Sequence, residues 1–84
     1  MAWVKILKEV MINKPGNWQL CFHWCEYHYD DTPITENGYR FIWRRPNGNL
    51  QAARGQARIP SWNEMNQLFD LARIEGWLET IEND

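Results

Sequence analysis

The triplet Pro46-Asn47-Gly48, set between two runs of rings and branched side chains, constrains this chain more than any other feature. Proline suits the first central position of a type I turn, and Gly48 then takes the left-handed position of a three-residue hairpin loop. The turn fixes the register, and the register decides which side chains share a face. It pairs Arg45 with Asn49, Arg44 with Leu50, Trp43 with Gln51 and Arg40 with Arg54. Tyr39, Phe41 and Trp43 then occupy one face, and Arg40, Ile42 and Arg44 the other.

A second turn signal, Lys14-Pro15-Gly16-Asn17, suits a type II turn. After it, residues 18–27 alternate strictly, with Trp18, Leu20, Phe22 and Trp24 on one face and Gln19, Cys21, His23, Cys25 and Tyr27 on the other. Before it, residues 3–12 read as a strand that the turn folds back as a hairpin. Val4, Ile6, Val10 and Ile12 then oppose Trp3, Lys5, Leu7, Glu9 and Met11. A helical stripe of Trp3, Leu7, Val10 and Met11 fits the same segment. Asp30-Asp31-Thr32-Pro33 through Glu36-Asn37-Gly38 reads as a loop.

Ser61 is a natural N-cap, Glu64 completes a Ser-x-x-Glu capping box, and Pro60 blocks an earlier start. Trp62, Met65, Leu68, Phe69 and Ala72 form the apolar stripe of the helix that follows. Gly76 ends it, and Trp77 is expected to fold back on Leu71 and Ala72.

The expected architecture is therefore α+β. A twisted antiparallel sheet of three to four strands, near residues 3–12, 18–27, 39–45 and 50–58, carries one C-terminal helix (62–75) on one face. The tail 79–84 is acidic. The 84 residues form one domain, residues 1–84, too short for two cores. Six tryptophans enlarge that core, and any surplus of rings is left for binding.

The net charge of −2 excludes a protein that is basic as a whole. Two cysteines are too few for a disulfide framework. Lys5, Lys8 and Glu9 interrupt the N-terminal apolar residues, so no signal peptide is expected there, and no stretch suits a membrane span. The expectation is a cytoplasmic protein with reduced thiols, no membrane partner and no cofactor.

Three constellations carry chemistry. Cys21, His23, Cys25 and His28 have ligand chemistry for zinc, but on a strand Cys21 and Cys25 stand about 13 Å apart along the axis. Semi-buried thiols flanking a histidine are the simpler reading. Arg40, Arg44, Arg54 and Arg58 share a face, with Arg40 opposite Arg54, in a stretch from Gly38 to Pro60 that holds five arginines and no acid. Such a face suits an anion or a phosphate backbone, unless the protein's own acids neutralise it. Trp3, Leu7, Met11 and Ile42 are the apolar residues expected on that same side, which one helix cannot also cover.

Catalysis has little to stand on. The glycines are scattered, the only serine is the cap Ser61, and no recognisable group orients His23 or His28 beside Cys25. The sequence points to a non-catalytic protein-interaction module using the helix-free face, with a homodimer as one form of it. The alternative is nucleic-acid binding through the arginine-rich hairpin face.

Overall fold

A computed structural model describes residues 2–51 and 57–77. Three strands, β1 (Trp3–Met11), β2 (Gln19–His28) and β3 (Thr35–Arg44), form an antiparallel sheet in the order β1-β2-β3, and one helix, α1 (Trp62–Ile74), follows. The α+β class with a single C-terminal helix is as expected. Of the fourth strand expected near 50–58, residues 52–56 lie outside the described residues, as do Arg54 and the tail 79–84. What is described there is a bridge between Arg44 and Leu50. The Arg45 N–H donates to the Asn49 carbonyl at 2.7 Å and the Gln51 N–H to the Trp43 carbonyl at 2.8 Å, the pairs that the Pro46 turn dictates. Gly48 has φ of 91°, the left-handed conformation that selects glycine there.

β3 begins earlier than the sequence suggests. Thr35, Glu36, Asn37 and Gly38 pair with His28, Tyr27, Glu26 and Cys25, so half of the expected loop is strand. Propensity opposes a strand here, but an unbroken ladder satisfies the backbone of both partners and overrides it. Gly38 is not demanded by packing, since a Cβ at that position would meet the Tyr27 ring at 3.5 Å, an ordinary van der Waals contact.

The larger correction concerns β1. The pairing runs Trp3–His28 to Ile6–Cys25, then slips by one residue between Ile6 and Lys8 before continuing from Lys8–Trp24 to Met11–Cys21. Leu7 is the extra residue of a β-bulge, and a bulge reverses the alternation beyond it. Val4, Ile6, Glu9 and Met11 consequently share a face, while Trp3 and Val10 belong to the other. The expected apolar set of Trp3, Leu7, Met11 and Ile42 is therefore not one surface. Trp3 and Leu7 are exposed, Met11 is half-buried, and Ile42 is buried inside the row Met11–Cys21–Ile42.

The core lies between the sheet and α1. Val10, Leu20, Phe22, Leu68, Ala72 and Trp77 are buried together, with Trp24, Phe41, Trp43 and Phe69 packed around them. Phe22 is its hub, stacked on Phe41 at 4.9 Å, Tyr39 at 5.4 Å and Trp77 at 5.4 Å, and met edge-on by Phe69 at 5.3 Å.

Ser61 caps α1 by accepting the Glu64 N–H at 3.1 Å. The reciprocal half of the capping box is replaced, because the Glu64 carboxylate pairs with Lys14 of the first turn at 3.3 Å. Trp62 does not join the stripe and is 73% exposed. At the other end Gly76 stops the helix with φ of 78°. Trp77 then turns into the core against Phe22, leaving Leu71 exposed.

Candidate functional site

The face of the sheet away from α1 carries polar side chains on each strand. In its central row Glu9, His23 and Arg40 stand side by side, one from each strand. His23 is fully buried, and both ring nitrogens are engaged. Arg40 Nε, an obligate donor, lies 3.1 Å from Nδ1, so Nδ1 accepts. Nε2 is 2.7 Å from Glu9 Oε2, so it donates to the carboxylate. Only the neutral Nε2–H tautomer satisfies both contacts. Burial pushes the His23 pKa below its ordinary 6.5 even though the Glu9 carboxylate opposes it.

Arg44 reaches Glu9 from two rows further along this face, across the Met11–Cys21–Ile42 row. Its Nη2 donates to Glu9 Oε2, the oxygen that also receives His23, and its Nη1 donates to the Gly48 carbonyl at 2.6 Å. Burial raises the Glu9 pKa, but hydrogen bonds from Arg44 and His23 outweigh it and hold the carboxyl below its usual range. Arg44 extends past the Cys21 thiol, which is fully buried and directs its own hydrogen towards the Gln19 carbonyl at 3.7 Å. Burial, helped by the nearby Glu9 carboxylate, pushes the Cys21 thiol up. Burial does the same to Cys25, which lies in a separate row between Ile6 and Gly38.

The arginines are thus divided. Arg40 and Arg44 lie in this network, held by His23 and Glu9. Arg58 sits elsewhere, exposed, with its carbonyl accepting the Trp43 indole N–H at 3.0 Å. Arg54 lies outside the described residues. The acid that meets the arginine face is Glu9, which the sequence places on a face of the first strand but does not single out as a partner for the arginines.

The thiol and imidazole residues are also redistributed. Cys21 and His23 come together with Glu9, their potential donor atoms all within 4.8 Å of one another. Cys25 does not join them. His28 leaves the group altogether, stacking on Trp3 at a centroid distance of 3.8 Å and bonding Glu26 at 2.7 Å. For a divalent cation the surroundings of the trio are unfavourable. The cation would have to displace Arg44 from Glu9 and take the His23 nitrogen that now carries a proton, with two guanidinium groups alongside. The same contacts oppose thiol catalysis: the Cys21 thiol is buried with a raised pKa, and neither His23 nitrogen is free to act as its base. The arrangement is an ion-pair network laid over the sheet, in which both Arg44 Nη atoms are engaged while its buried Nε has no hydrogen-bond partner among the described residues.

Compared with known proteins, the chain matches no family model, no curated protein and no solved structure. No helix among the described residues is long and apolar enough to cross a membrane.

Proposed function

We propose that this domain is a non-catalytic protein-binding module whose contact surface is the outer side of β1, in a cytoplasmic setting with reduced thiols. The supporting observation is the exposure of three large apolar residues on one half of an edge strand. Trp3 is 55% exposed, Leu7 41% and Ile6 37%. Trp3 and Ile6 lie on opposite faces of the unbroken Trp3–Ile6 register and Leu7 is the bulged residue next to them, so together they wrap the edge. An apolar rim of this kind is stabilised when a partner removes it from water. The helix-free face, by contrast, has its central residues buried, and its described arginines, Arg40 and Arg44, are bonded to His23 and Glu9.

Site-specific photocrosslinking tests the reading. A photoreactive residue at Leu7 is expected to yield a discrete covalent adduct, either a dimer of the chain or one complex with another protein. The same group at Asn66, exposed on α1, is the comparison. No adduct from position 7, or the same adducts from both positions, contradicts the proposal.

A further inference from the structure

The antiparallel order brings the Lys14–Asn17 and Pro46–Gly48 turns to one end of the sheet and the connection between β2 and β3 to the other. Among the described residues, acids predominate at the connection, where Lys5 stands opposite Glu26, and cations at the turns. Glu26, Asp30, Asp31 and Glu36 lie at or beside the connection. The turn end carries Lys14, Arg44, Arg45 and Arg58, and its acids are already engaged, Glu64 by Lys14 and Glu9 by Arg44. Arg45 and Arg58 are exposed and have no carboxylate partner among the described residues. The overall charge of −2 conceals this polarity.

Aromatic rings lie among these cations. Trp18, 44% exposed, and Trp43 line a shallow cleft together with Gln51. Gln19 pairs with Arg44, so the next step of the ladder sets Trp18 beside Arg45, on the same side as Trp43. The Trp43 indole N–H is taken by the Arg58 carbonyl, which leaves that ring to offer a π face rather than a donor. Flat rings beside guanidinium groups that have no carboxylate partner among the described residues match a ligand that is planar and anionic in alternation.

We propose that this end of the domain binds single-stranded nucleic acid. A base enters the Trp18–Trp43 cleft, the Gln51 amide offers a donor and an acceptor to its edge, and Arg45 and Arg58 take the flanking phosphates. An acidic peptide satisfies the guanidinium groups but makes no use of the cleft. This surface is separate from the β1 rim, so it stands or falls independently of the protein-binding proposal.

The test is fluorescence anisotropy of a labelled oligothymidylate of about ten nucleotides at low salt, with labelled polyglutamate of equal charge as the second probe. The oligonucleotide is expected to bind saturably and to weaken steeply as salt rises. Arg45→Ala is expected to flatten the logarithmic salt slope by about one. Trp18→Ala is expected to weaken binding roughly five- to hundred-fold. Both side chains are exposed, and an unchanged urea midpoint for each variant confirms an intact fold. Absence of binding at low salt overturns the proposal. So does equal affinity for polyglutamate, or an oligonucleotide affinity that Trp18→Ala leaves unchanged.

Discussion

Glu9 of β1 and Arg44 of β3 meet across the full width of the sheet, alongside the Cys21 thiol of the strand between them. The contact ties together strands that share no backbone hydrogen bond. Because His23 donates to the same carboxylate oxygen, removal of the charge at Glu9 affects all three strands. Glu9→Gln is expected to lower unfolding stability by about 1–3 kcal/mol, the cost of weakening a partly buried charge-assisted network. Urea denaturation at neutral pH measures it. A loss below about 0.5 kcal/mol, the size of an ordinary surface substitution, contradicts the network's structural role.

Acid is expected to weaken the fold in two stages. His23 has a folded pKa depressed below 6.5, so the unfolded chain takes up the proton first. Its contribution is full above that value and is lost progressively as pH falls from there towards the folded pKa. Glu9, depressed below 4.5, repeats the pattern at lower pH. Cys21 and Cys25 work in the opposite direction, since their pKa values are raised above 9.0 and their contribution is present below that value and lost on alkalinisation. Urea midpoints across this range are expected to trace a plateau between roughly pH 6.5 and 9 that falls away on both sides. His23→Gln is expected to remove the upper acid stage and leave the lower one.

Two ring substitutions separate core from surface. Phe22→Ala empties the centre of a cluster of four rings and is expected to cost about 3–5 kcal/mol. Trp62→Ala removes a larger ring that is 73% exposed, and a change within about 0.5 kcal/mol is expected. Thermal or urea unfolding of the pair checks both, and similar losses for the two contradict the packing described.

The sequence makes the fold legible where a local rule has a single outcome. Proline at position 46 with glycine at 48 determines the pairs Arg45–Asn49 and Trp43–Gln51, and Ser61 with Gly76 determines the limits of α1. Alternation in β2 assigns Phe22 to the core and His23 to the opposite face. The candidate site is less legible because it depends on register between strands. A two-residue Pro15-Gly16 loop would set Glu9 opposite Phe22. The observed hairpin is one residue longer on that side, which brings Glu9 opposite His23, and the bulge at Leu7 then restores the shorter count for Trp3 to Ile6. Composition carries no signal for either displacement. Trp62 fits the helical stripe by spacing, but it stands in the first turn and projects beyond the surface that the sheet offers.

The face away from α1 is closed by its own side chains, with Cys21 and Cys25 beneath them, each 0% exposed. Thiol titration with an aromatic disulfide reagent tests it directly. In native buffer neither cysteine is expected to react on the timescale on which both react in concentrated denaturant. Rapid modification of either thiol in the folded protein would show that face to be open, and would contradict the account.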